Sequence, residues 1–513
     1  MNRSNAIRTL SAVVACLAVG VTGVAGTAMA GETDGAVVSA STHGKPKPLQ
    51  RKAVVPSTKT IFGWIKDLTS VGYRRTGTPG GRRAAEYVHG KFKRFGLQKV
   101  QFQRAQSFSW SVRNHSLSVE GSPLASFPIA HSVTGFEGTG KRGTGPDGLD
   151  AELVDVGNGD FTGKDVAGKI VVFNLKFTEL PIPLFRAVAD FNYDPGNTVS
   201  DSDKLSQPYI TNFTAVATKA MDGGAAGMVG VLADYFDSDK YFNEYYRRLD
   251  MKIPGVWVKP SVGSSLRSQM AGKPGATANL KLNVTREPAT ARNVIGFLPG
   301  RSKETILISS HHDAVFKGAV EDASGTSEVL ALAKYFGAMK QKQREKSLMF
   351  ATMDSHFTGY QAHDKFLKKY VSNVPQAKRP VANLAIEHIA RQGVIEDGKL
   401  RMTNQPEITG ILHNVGPDAL ESIKKEVVAN DLDRTTVLPA GVFGGAGIPT
   451  DASGAYALGV PVVSLISGPV YLYDKQDTPD KVFKPHLRPV AKAFAQIATD
   501  MGPMTREEIA QGE

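Results

Sequence analysis

Apolar residues fall into three regimes along the chain. Between 56 and 95 they recur at helical spacing. Ile61, Trp64, Ile65 and Leu68 form one stripe; after the turn Thr76-Gly77-Thr78-Pro79-Gly80, Ala84, Ala85, Val88, Phe92 and Phe95 form a second, closed by Gly96. Two helices are predicted, followed by strand-like alternation around Val100-Gln101-Phe102 and Leu117-Ser118-Val119. From about 125 to 285 the apolar residues come in short β-rich runs broken by glycine, at 151–157, 166–173, 227–231 and 253–258, with helices near 215–221 and 264–270. From Asn293 onward, continuous apolar runs at 305–308, 348–353, 381–386 and 460–465 alternate with helical patterns at 325–340, 358–371, 416–429 and 487–500. Unbroken apolar runs are what strands covered on both faces require. The expected fold class is therefore α/β, a doubly wound and mostly parallel sheet with a β-rich insert, its functional groups at the carboxyl ends of the strands.

Composition adjusts this picture at the ends of the chain. Hydrophobic residues make up 41% of 513, which excludes disorder over most of the length. Lys+Arg number 61 against 49 Asp+Glu, a net +12, yet no basic run of six or more and no recognition motif concentrates that charge, so no nucleic-acid partner is expected. Residues 1–30 have the form of an export signal: Arg3 and Arg8, a stretch rich in Ala, Val and Leu, then Ala28-Met29-Ala30 before Gly31. Cleavage after Ala30 and a secreted mature chain are expected. Gly20, Gly23 and Gly26 dilute the apolar run and no basic stop-transfer cluster follows, so a membrane span is not expected. The single cysteine, Cys16, lies in this segment, and a lipid anchor there would leave an unusually short apolar core. The mature chain then has no disulfide, thiolate site or cysteine nucleophile. Residues 31–55, with Lys45-Pro46-Lys47-Pro48, read as a linker and 506–513 as a tail.

Candidate chemistry begins where the first buried strand ends, at Ile308-Ser309-Ser310-His311-His312-Asp313, followed by Gly318-Ala319-Val320-Glu321-Asp322-Ala323-Ser324-Gly325 opening a helix. A His-x-Asp step at a strand end lets His311 bind a metal while Asp313, on the same face, holds the other ring nitrogen. The acidic loop brings a further carboxylate beside them. His312 faces the opposite side by alternation and reads as structural.

The run at 125–285, with Gly168-Lys169-Ile170 and Gly224-Ala225-Ala226-Gly227, resembles the protease-associated domain, a β-rich insert of secreted peptidases. Together with the His-x-Asp step and the terminal Asp477-Thr478-Pro479-Asp480, the chain resembles the co-catalytic zinc exopeptidase family that includes leucyl aminopeptidases and glutamate-carboxypeptidase-like enzymes. The resemblance implies a peptidase-like α/β domain at 56–124 and 286–505, a non-catalytic insert at 125–285, and hydrolysis of peptide or protein substrates by metal-activated water. It implies a metal-bridging role for Glu321 and a ligand role for Glu387. It places His356 and Phe357 where the family has a Glu-Glu pair, and Tyr473 where it has a late histidine. Phenylalanine cannot coordinate, so one zinc held by His311, Glu321 and Glu387 is expected instead of two, with His356 and Asp313 as catalytic residues. His356 reads as a base, an extra ligand or a solvated turn residue; Tyr473 as a substrate donor or a packing residue; and Asp451, in Pro449-Thr450-Asp451-Ala452, as part of an acidic loop near the site or a turn former. Two other readings stand beside this one. One is a catalytically inactive relative acting as a secreted binding or structural protein. The other is a serine hydrolase built from Ser453, Asp477 and His486, weakened because the chain has no Gly-x-Ser-x-Gly elbow.

Overall fold

A computed structural model describes residues 53–133, 138–243 and 248–510. The expected export signal at 1–30, Cys16, most of the 31–55 linker and the end of the tail lie outside the described residues.

The two predicted helices are present. Helix α1 (Thr58–Ser70) starts at Ser57, whose hydroxyl accepts the Thr60 N–H, and α2 (Pro79–Arg94) starts at Thr78, which accepts the Gly81 N–H, with proline in the first turn. Both bury the stripes read from the sequence except Phe95, which caps the second helix and is half-buried. The alternating segments at 100 and 117 prove to be one strand, β1 (Gln98–Val119). It pairs antiparallel along nearly its whole length with another strand of 22 residues, Thr277–Leu298.

Between these two lies the β-rich insert. Strands β2 (Leu149–Asp155), β3 (Ile170–Asn174), β4 (Gly227–Val231) and β5 (Gly255–Val258) run parallel in that order, with β2 joined to the start of β6 (Thr277–Leu298). The boundary expected at 285 thus falls inside one continuous strand. Residues 177–211 leave this sheet: a hairpin, Phe177–Pro181 with Lys204–Thr211, flanks a short strand, Phe191–Tyr193, which pairs with residues 435–437 of the C-terminal half.

The C-terminal half is the expected α/β layer structure. Strand β6 pairs antiparallel with β8 (Ser347–Met353), and β8, β7 (Thr305–His311), β9 (Ala382–Ile386) and β12 (Val462–Ser467) follow in parallel. Beyond them lie β10 (Thr409–His413), antiparallel to β12, and β11 (Thr435–Pro439), parallel to β10. Helices α3 (Gly325–Gly337), α4 (Gln361–Leu367), α5 (Pro417–Ala429) and α6 (Lys484–Asp500) connect or flank the strands. Every residue of β9 and β12 is buried, as strands covered on both faces must be. Among the described residues no helix is long and apolar enough to cross a membrane.

Candidate metal centre

Three of the parallel strands deliver polar groups at their carboxyl ends. Strand β7 ends in His311, β8 is followed by Asp354, Ser355 and His356, and β9 by Glu387 and His388. The loop before α3 brings Glu321, and the segment after β11 brings Asp451. His311 and Glu321 are wholly buried and His388 nearly so.

Glu321 is the centre of the cluster. His311 Nε2 lies 3.1 Å from its Oε1, and His388 Nε2 touches its Oε2. The outer nitrogen of each ring is fixed. His311 Nδ1 meets the Asp313 main-chain oxygen at 3.0 Å, with the Asp313 carboxylate at 3.4 Å, and His388 Nδ1 meets the Ser467 carbonyl at 2.7 Å. A carbonyl can only accept, so each neutral ring carries its proton on Nδ1 and turns the Nε2 lone pair inward. The His311 ring is thus held more closely by the Asp313 main chain than by the carboxylate expected to hold it.

The loop carrying Glu321 is held from two sides. Asp477 accepts the N–H groups of Val320 and Glu321 at 2.8 and 3.0 Å. Arg74, wholly buried, donates to the carbonyls of His312, Lys317 and Gly318 at 2.9, 2.6 and 2.7 Å. Gly318 has a φ of 50°, and a Cβ there would sit 2.1 Å from the Glu321 carbonyl oxygen, so only glycine fits.

Electrostatics follow from this burial. Desolvation would raise the Glu321 pKa, but His388 and His311 overcome it and hold the carboxyl well below the usual range. Burial likewise opposes charge on His388, yet Glu321 lifts it to about 9. Glu387 is pushed up to about 8 by burial and by Asp451, whose N–H it accepts at 2.9 Å.

His356 is buried rather than solvated. Its ring stacks on His311 with centroids 4.1 Å apart, and Nε2 lies 3.8 Å from Glu321 Oε1. Its Nδ1 faces Asp451 Oδ1 and the Tyr360 hydroxyl, each at 3.1 Å. Asp451 is thus part of the site. Phe357 and Tyr473 pack edge to face, centroids 5.9 Å apart, where the resemblance places two ligands. His312 bonds Thr352 at 3.0 Å, as a structural residue should.

The serine hydrolase reading fails on geometry. Asp477 spends both oxygens on the Glu321 loop, His486 packs on Phe483, and no hydrogen bond links either to Ser453 among the described residues.

His388 and His363 belong to the cluster without having been expected there. Strand alternation would send Glu387 and His388 to opposite faces. His388 instead has a φ of 57°, and this left-handed turn brings both residues within reach of His311.

The residues suit a cation. The Nε2 atoms of His311 and His388 and both Glu321 oxygens are buried without a hydrogen bond of acceptable geometry, an arrangement that is costly unless something else satisfies them. Two imidazoles and a carboxylate are a zinc donor set.

Comparison with known proteins bears on this centre directly: residues 293–498 match the model of Peptidase family M28. That stretch is similar to an M28 peptidase domain. It contains His311, Glu321, His356, Glu387, His388 and Asp451. Over 345 residues, 60% of this chain and 41% of the relative, the chain is 25% identical to Transferrin receptor protein 2 of Homo sapiens. Over 164 residues, 30% of this chain and 31% of the relative, it is 32% identical to the probable lipoprotein aminopeptidase LpqL of Mycobacterium tuberculosis. The chain spans less than half the length of these curated relatives. In fold it is similar to BSAP, a zinc aminopeptidase from Bacillus subtilis, with a TM-score of 0.60 at 16% identity over 90% of this chain and 99% of the other.

Proposed function

We propose that this chain is an exported, zinc-dependent exopeptidase of aminopeptidase type, hydrolysing peptide or amide bonds with an ion held by His311, Glu321 and His388. The observation that carries this reading is the convergence of two inward-facing Nε2 atoms on one buried carboxylate, with no hydrogen bond of acceptable geometry to these atoms among the described residues. The M28 match and the aminopeptidase among the relatives support the same reaction class.

A zinc ion at such a donor set lowers the pKa of bound water towards about 7 and polarises a carbonyl. The chain's own residues prepare the place. Asp313 and Ser467 fix the tautomers of His311 and His388, Asp477 and Arg74 hold the loop of Glu321, and Glu387, close to both histidines, completes the polar wall. Glu387 thus stands beside the centre, within reach of the ligand role expected of it. The family's second metal position, lined here by Phe357 and Tyr473, offers no ligand from those two side chains in the expected roles.

One observation favours a second reading, a binding protein without turnover: aromatic rings occupy the place of two ligands, and Phe357 is further enclosed by Phe242. The experiment is zinc analysis of the purified secreted protein alongside hydrolysis of a panel of aminoacyl and peptidyl amides. Zinc with hydrolysis abolished in His388→Ala supports the enzyme. Zinc without turnover on any member of the panel supports the binding protein, and absence of zinc overturns the proposed centre.

A further inference from the structure

A second cluster of donors lies beside the first and is accounted for by none of the roles above. His356, in the turn after β8, and His363, seven residues on in α4, face Asp451 from the segment after β11. His356 Nδ1 is 3.1 Å and His363 Nδ1 4.0 Å from Asp451 Oδ1. All three side chains are more than nine-tenths buried, with exposures of 7, 6 and 3%.

Three features distinguish this group from an ordinary histidine–aspartate hydrogen bond. First, zinc binds nitrogen and oxygen at about 2.0 to 2.2 Å, so ligand atoms on a tetrahedral ion stand roughly 3.3 to 3.6 Å apart; the observed 3.1 and 4.0 Å bracket that spacing. Second, the His356 and His363 rings are 6.2 Å apart at 63°, so their in-plane lone pairs can converge on one point. The stacked rings of His311 and His356, inclined by only 17°, are nearly parallel and cannot both aim at one ion without rotating. Third, among the described residues Asp451 Oδ2 and His363 Nε2 are buried with no hydrogen-bond partner, so a simple His356–Asp451 pair leaves polar atoms unexplained.

We propose that His356 Nδ1, His363 and Asp451 hold a second divalent cation, zinc by its two imidazoles and carboxylate, at a position displaced from the one filled by Phe357 and Tyr473. The Tyr360 hydroxyl, 3.1 Å from His356 Nδ1, borders the site. Asp451 ties the two centres together, since its N–H is held by Glu387 at 2.9 Å. His356 is then the extra ligand among the roles its sequence position left open, and not the base. With Nδ1 coordinated, the neutral ring carries its proton on Nε2, which faces Glu321 as a donor.

The test counts zinc on the full-length secreted protein after chelator stripping, reloading with zinc alone and dialysis, with cobalt absorption as a second readout. Two ions are expected in the wild type, and one each in His363→Ala, Asp451→Asn and His388→Ala, the remaining ion differing between the first two and the third. Circular dichroism establishes that each variant is folded, and His363→Gln replaces His363→Ala if it is not. One zinc per wild-type chain, retained in His363→Ala and lost in His388→Ala, overturns this site and leaves the proposed peptidase centre intact. One zinc lost in His363→Ala but retained in His388→Ala supports this site and overturns the other. Two ions in both wild type and His363→Ala also overturn it. Two ions without peptide hydrolysis would refute the proposed activity and leave the site standing.

Discussion

Glu321 Oε1 lies 3.1 Å from His311 Nε2, with both side chains wholly buried, and His388 closes on the other carboxylate oxygen. Without a metal, this geometry is an ion pair, and it raises the folded-state pKa of His388 to about 9 through Glu321 despite burial. A histidine whose folded pKa exceeds its unfolded value of about 6.5 contributes stability that is complete below 6.5 and lost as pH rises through the folded value. Urea unfolding of the chelator-stripped protein should therefore show stability falling between about pH 6.5 and pH 9, by up to about 3 kcal/mol. His388→Gln should flatten that slope. Zinc should oppose it, because its ligands bind deprotonated.

Asp477 holds two buried N–H groups of the loop that presents Glu321. Asp477→Asn keeps one acceptor and sets an amide donor against the other N–H. The expected cost is about 1–3 kcal/mol of stability, together with roughly 10- to 100-fold weaker zinc binding, as for other residues that orient ligands. Thermal unfolding and zinc titration measure the two effects separately. Full zinc affinity in a destabilised variant would show that Asp477 braces the fold without positioning Glu321.

His131 is an acid-labile point away from the donors. Burial drives its pKa down to about 3, against the Phe357 carbonyl that its Nε2 meets at 2.8 Å. A histidine with a depressed folded pKa stays neutral while the unfolded chain takes up a proton. Stability should fall as pH drops from about 6.5 towards 3, at about 1.4 kcal/mol per pH unit at most. Chemical denaturation across that range should show a shallower fall in His131→Phe than in the wild type.

Gly80 lets α2 sit directly on the turn that carries Arg74. A Cβ there would lie 2.1 Å from the Tyr73 carbonyl oxygen, backbone that cannot yield cheaply. Alanine gains about 1 kcal/mol of helix propensity, but overpacking of this kind costs about 1–3 kcal/mol, so Gly80→Ala should lower the melting temperature. A rise in melting temperature would show that the turn can move without loss.

The C-terminal layer was legible because its information is local. The runs at 305–308, 348–353, 381–386 and 460–465 become β7, β8, β9 and β12 with shifts of no more than a few residues. Ligand candidates at the end of β7 were legible for the same reason, since a strand end announces itself where the apolar run stops. What escaped depends on distant partners or on single torsions. Strand β1 reads as two fragments although Phe108, Trp110 and Val112 alternate in its middle, because Arg104 and Gln106 on one side and Arg113 and Asn114 on the other interrupt that pattern; its continuity comes from pairing with β6, over a hundred residues away. His388 was hidden by the alternation rule that its own positive φ breaks. His363 sits on a helix where one buried histidine carries no periodic signal, and only the loop bringing Asp451 gives it chemistry.

Strands β1 and β6 run side by side for 22 residues each, roughly 70 Å of extended chain at about 3.3 Å per residue. Both the sheet of the insert and the sheet bearing the metal donors are hydrogen bonded to this one ribbon. A β-ribbon bends less readily than a linker swivels, and the register shift between Val112 and Asn114 is the one irregularity along the middle of this ribbon. The pairing carries on from the insert through β6 to its neighbour β8, which leads directly into His356. Any coupling between insert and centre along this path is a matter of leverage, set by the elastic stiffness of two strands and the bulge between them.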